Sequence, residues 1–118
     1  MVDMVDTVIN ALKNDPSVRV LVSDRIYKIR PAGKPAYPYI TIFEVSNSEA
    51  QSADDEEYSD EIEIQADIWH NGSMTLIVKA AQKVIRKLGF THQAQADEYN
   101  EQTQTFHKPI RFMINQEV

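Results

Sequence analysis

The sequence predicts an α+β fold: a mostly antiparallel five-stranded sheet with two helices packed on one face, in the order α-β-β-β-α-β-β. Three observations predict it. Residues Tyr58–His70 alternate apolar and polar, as a half-buried strand does. Two stretches, 2–13 and Met74–Leu88, carry apolar residues at helical spacing. Strands follow strands through short or hairpin-like links, which favours antiparallel pairing. At 118 residues the chain is expected to be a single domain spanning 1–118, long enough to bury a core without disulfides or metals.

Met4, Val5, Val8, Ile9 and Leu12 place one face of the first helix against a core. Asn14-Asp15-Pro16 ends it, because Pro16 cannot continue the hydrogen-bond ladder. Asp15 followed by Pro16 also suits the start of a new helical turn, while Val18, Val20, Leu21 and Val22 suit a short strand; both readings stand for that segment. Arg25–Arg30 reads as a short strand. Pro31, Gly33, Pro35 and Pro38 then make a stiff surface loop. Tyr39–Val45, rich in aromatic and β-branched residues, is a strand. Ser46–Glu57 has no apolar periodicity and is expected to be an exposed, mobile loop.

In Tyr58–His70 one parity carries Tyr58, Ile62, Ile64, Ala66 and Ile68, and the other carries Glu61, Glu63, Gln65, Asp67 and Trp69. Successive strand side chains point to opposite faces, so one face is core and the other wet and acidic. Asn71-Gly72 turns the chain, and Ser73 is placed as an N-cap. Met74, Ile77, Ala80, Ala81, Val84, Ile85 and Leu88 form the stripe of the second helix, with Gly89 as its C-terminal cap. Two strands finish the chain, near Phe90–Glu98 and Gln104–Asn115, joined by a turn around Asn100-Glu101. Pro109 has no N–H to give a ladder, so the last strand is expected at an edge or to carry a bulge.

Composition narrows the function. The net charge of -6 argues against an open basic surface for nucleic acid, which needs clustered Lys and Arg. The absence of cysteine removes disulfides, thiolate metal sites and cysteine nucleophiles. No apolar run approaches the roughly 20 residues a membrane helix needs. Asp3 and Asp6 interrupt the first apolar stretch, unlike a secretory signal, so the chain is read as cytoplasmic in the cell that makes it. The charge is uneven. Asp54, Asp55, Glu56, Glu57, Asp60, Glu61, Glu63 and Asp67 crowd into one stretch, and Lys79, Lys83, Arg86 and Lys87 into another.

No residue pattern reads as a catalytic or cofactor site. His70, His92 and His107 do not share the spacing of a helical metal site. The run Asp54–Glu57 lacks the alternating ligands and central glycine of a calcium loop, and reads as a solvated, self-repelling segment. Glu61 and Glu63 lie on one strand face about 7 Å apart, a spacing a glycosidase could use, but no sugar cleft accompanies them. The serines lie in no nucleophile elbow and the glycines in no phosphate loop. The chain is therefore expected to be no enzyme and to hold no metal or cofactor. The surface candidates are Glu61, Glu63, Asp67 and Trp69 on the strand, and Lys79, Lys83, Arg86 and Lys87 on the helix, which otherwise read as its solvated back. Trp69 lies on the polar parity, where it either packs under a loop or marks a contact surface.

The opening helix, Asp24-Arg-Ile-Tyr27, the proline-rich loop into Pro38-Tyr-Ile-Thr41, and Ala66-Asp-Ile-Trp-His70 running into the Ser73–Leu88 helix together resemble the tail-completion, or tail-to-head joining, proteins of long-tailed bacteriophages and prophages, a family related to the lambda tail terminator. The resemblance covers most of the chain. It implies a structural protein that forms a ring, commonly a hexamer, which ends the tail tube and presents the head-joining surface. Its implied partners are other copies of itself, the tail tube protein and the head–tail connector protein, with no sequence-specific nucleic acid and no membrane. Its implied location is the host cytoplasm during assembly and then the head-proximal end of the tail in the virion. The carboxylates of the strand then have two competing uses, a phosphate-repelling lining or a contact with a basic helix face. A different reading is a small non-catalytic binding module that uses the acidic strand and Trp69.

Overall fold

The computed structural model describes residues 3–51 and 58–117. Among the described residues three helices and six strands follow one another as α1 (Met4–Asn14), α2 (Pro16–Val22), β1 (Ile26–Lys28), β2 (Tyr39–Gln51), β3 (Tyr58–His70), α3 (Thr75–Lys87), β4 (Thr91–Gln95), β5 (Glu98–Asn100) and β6 (Thr105–Glu117). The architecture read from the sequence is present, with α2 and β5 added to it.

Local chemistry explains the helix ends. The Asp3 carboxylate accepts from the backbone N–H of Val5 at 2.9 Å and opens α1. Asp15 accepts from the N–H of Val18, and Pro16 occupies the first position of α2, which settles that segment as helix. At α3 the expected cap is corrected: Met74 occupies the N-cap with no side-chain hydrogen bond, so Ser73 does not perform the role. Gly89 ends α3 as expected. Its φ of +106° suits glycine, and a β-carbon there would come within 3.3 Å of the Ile114 side chain.

The sheet runs β1-β2-β3-β6-β4, with β5 also pairing β6. All pairs are antiparallel except β1 with β2. The stiff loop at residues 29–38 carries the chain back to the end it started from, and only such a crossover makes neighbouring strands parallel. The strand expected over Phe90–Glu98 divides into β4 and β5 around Ala96 and Asp97.

The expectation for Pro109 also changes. β6 is an interior strand, flanked by β3 on one side and by β4 and β5 on the other. The Pro109 carbonyl accepts from Ala96 N–H at 3.2 Å, so its ring nitrogen, on the same side of the strand, faces the break between β4 and β5. The missing donor thus falls where the ladder is already interrupted, which is why an interior strand tolerates it.

The core lies between the helices and one face of the sheet. Ile40, Ile42, Ile62, Ile64, Ala66, Ile68, Ile110 and Phe112 supply the sheet side. Val8, Leu12, Val18, Val22, Ile77, Ala81 and Ile85 supply the helix side. Beyond Ile62 the strands continue, and Ser48, Asp60, Glu61, Asn115 and Gln116 there are not core residues. Ser48, Glu61 and Asn115 pair across three strands, followed by Glu49, Asp60 and Gln116. This arm corrects the expected loop: residues 46–51 are strand because β3 supplies backbone partners even where the sequence offers nothing to bury. Residues 52–57 of that expected loop lie outside the described residues.

Candidate functional site

The sheet face away from the helices carries three cross-strand rows. They are Tyr39–Trp69–His107, Thr41–Asp67–Pro109 and Phe43–Gln65–Arg111, each with one residue from β2, β3 and β6. Because the Pro109 carbonyl turns toward Ala96, the Asp67–Pro109 pair does not exchange hydrogen bonds across β3 and β6. By the two-residue period neither does Trp69–His107, and such pairs bring side chains closest together.

The first row is an aromatic stack. Trp69 and His107 lie with ring centroids 3.8 Å apart and planes 3° from parallel. Tyr39 stacks on the other side of Trp69 at 5.9 Å, and Tyr37 extends the stack beyond Tyr39 at 5.8 Å. Tyr27 meets Tyr39 edge-on. Burial, reinforced by the Tyr37 and Tyr27 hydroxyls, raises the Tyr39 phenol above its ordinary value and keeps it neutral. The indole N–H donates to Thr41 Oγ1 at 3.1 Å, so Trp69 is held from both faces and from its edge.

Charged groups on this face have polar partners in place. Asp67, buried at 6% exposure, accepts from Gln65 Nε2 at 2.8 Å and faces His107 Nε2 at 2.9 Å. The other ring nitrogen of His107 lies 2.8 Å from the Glu98 carboxylate. A ring carrying both N–H groups donates to both carboxylates, whereas a neutral ring donates to one. Arg111 donates to Gln65 at 3.2 Å and lies 3.5 Å from Glu63. The face read as wet and acidic is therefore partly buried, and Glu63, Asp67 and Glu98 each have a partner on it. Between the aromatic row and the β5–β6 turn lies an open groove of about 730 Å³, bordered by Tyr37, Tyr39, Trp69, Glu98 and His107.

The structure divides the sequence candidates into three groups. Glu63, Asp67 and Trp69 belong to the network just described. Glu61 is half-buried at the root of the arm, with no ion pair among the described residues. Lys79, Lys83, Arg86 and Lys87 are exposed together on α3, around a shallow depression of about 440 Å³, on the far side of the sheet. Sequence reading missed His107, Arg111, Glu98, Tyr37, Tyr39 and Thr41. A signal for two of them was present: the odd-numbered positions of the last strand place His107 and Arg111 on one face, ready to meet the acidic parity of β3.

Residues 6–117 match the family model described as Tail completion protein gp17. The chain belongs to this family. This tail-completion protein is accordingly a structural component of a phage-type tail and of the virion. A solved chain from a structure titled "Virion of native gene transfer agent (GTA) particle" is similar, with a TM-score of 0.70 over 94% of this chain and 92% of that one. At 15% identity that likeness shows a common fold. No curated protein matches the tail-completion protein.

Proposed function

We propose that this tail-completion protein works by assembly rather than catalysis, as a one-domain subunit of a ring, a hexamer, that ends the tail tube and offers the surface to which the head joins. Its partners are then further copies of itself, the tail tube protein and the head–tail connector protein. It is made in the host cytoplasm and comes to rest at the head-proximal end of the tail. The observation that carries this reading is family membership across residues 6–117. The open sheet face fits it. Glu63 and Asp67 are held by Arg111 and His107, so they help to keep the face in shape.

Light scattering on the purified protein, with electron microscopy of the protein mixed with tail tubes, tests the reading. Rings in solution, or density capping one end of each tube, are expected. A chain that stays monomeric and binds neither tubes nor heads overturns it.

A further inference from the structure

Two groups of charges stand without ion pairs among the described residues. From Ser48 to Glu61 the sequence holds Glu49, Asp54, Asp55, Glu56, Glu57, Asp60 and Glu61 and not one Lys, Arg or His. In the arm, Asp60 and Glu61 point to opposite faces and neither has an ion pair among the described residues. On α3 the charge is reversed. Lys79, Lys83, Arg86 and Lys87 are exposed, the helix holds no acidic residue, and none of the four has an ion pair among the described residues. Like charges gathered this closely repel one another, and an opposite surface relieves both groups.

The two surfaces match in reach. The described arm extends about four residues past the core, or roughly 13 Å. The basic run from Lys79 to Lys87 covers roughly 12 Å of helix. Among the described residues no ion pair joins them within one chain. Gly89 packs against Ile114, which sets the C-terminal end of α3 at the root of the arm, and β6 runs on from that root toward Glu117.

We infer that the basic face of α3 receives one face of the acidic arm of a second copy, with Asp60 or, on the arm's other face, Glu61 set against Lys79, Lys83, Arg86 and Lys87. This rests on the ring reading and names the contact that holds neighbours in register. One copy uses its arm and the next uses its helix, so the contact is head-to-tail, the kind that closes a ring. It is a charged contact, so it sets register and salt dependence more than bulk affinity.

Carbodiimide cross-linking of an equal mixture of ¹⁵N-labelled and unlabelled protein tests it directly. Mixed-isotope cross-links from Asp60 or Glu61 to Lys79, Lys83 or Lys87 are expected; same-isotope links alone would place the contact within one chain and overturn the inference. The matching variants are K83E/R86E and D60K/E61K. Each alone is expected to weaken assembly about tenfold or more, and the two together to restore it. Circular dichroism checks that each variant is folded. If the wild type assembles and the folded reversal variants assemble equally well, this contact falls while the ring stands. If the wild type forms no ring in solution or on tail tubes, the ring reading falls and takes the contact with it.

Discussion

The same three strands, β2, β3 and β6, build two unlike regions. Under the helices their inward side chains are Ile40, Ile42, Ile64, Ala66, Ile68, Ile110 and Phe112, all sealed from solvent. A few residues further along, the ladder continues through Ser48, Glu61 and Asn115 with nothing apolar to bury. Backbone pairing is the same in both halves. What differs is the source of stability: hydrophobic burial in one, and only the cooperative extension of an existing ladder in the other. A strand can therefore outrun its own amphipathic pattern when a neighbouring strand supplies hydrogen bonds, as β3 does for residues 46–51 of β2. An arm made this way has its side chains left for contacts.

Substitution should separate the halves clearly. Phe112→Ala, at the centre of the covered half, is expected to cost about 3–5 kcal/mol, read as a lower urea midpoint with an unchanged slope. In the arm, Glu61→Ala is expected to stay within about 0.5 kcal/mol. A comparable cost at both sites would show that the arm is part of the core.

A middle-sized effect is expected on the open face. His107→Ala removes the partner facing buried Asp67 and one face of the Trp69 stack, at about 1–3 kcal/mol. Trp69 fluorescence should change with it, because the indole loses a ring at 3.8 Å. An unaltered emission spectrum would contradict the stack.

The smallest effect sits at the margin of the covered half, where Lys28 of β1 bridges Asp3, the N-cap of α1, and Asp6 within it, at 2.7 and 3.3 Å. The Lys28 hydrogen bond leads in lowering the Asp3 carboxyl below 3.8; backbone N–H bonds from Asp6 and Val5 assist, and slight burial opposes. A lowered folded value means that the contribution is present above about pH 3.8 and lost as pH falls through that lower value. The Asp3 titration followed by NMR should move back toward 3.8 in Lys28→Ala. Both side chains are about half exposed, so global stability should barely respond.

Much of this was legible in the sequence because it depends on near neighbours. The alternation of Tyr58–His70, the stripes of α1 and α3 and the Gly89 stop are all settled within a few residues, whereas Val18–Val22 stayed open between helix and strand until the structure placed it in α2. The arm was not legible, since a segment without apolar periodicity looks like a loop until its partners are known. Nor was the crossover that makes β1 parallel to β2, because a loop's composition reveals its stiffness but not its direction.

The candidate face shows the same division more sharply. The sequence alone determined that β3 has one apolar and one acidic parity, and that the cations of α3 stand apart from it. Only the tertiary structure decided what the acidic parity does. Asp67 meets His107 from 40 residues away, and Gln65 meets Arg111 from 46. Those meetings follow from the antiparallel register of β3 against β6, which is set by burying Ile64 and Ala66 beside Phe112 and Ile110. Period and charge are properties of a segment; a partner is a property of the register, and register exists only once the core has formed.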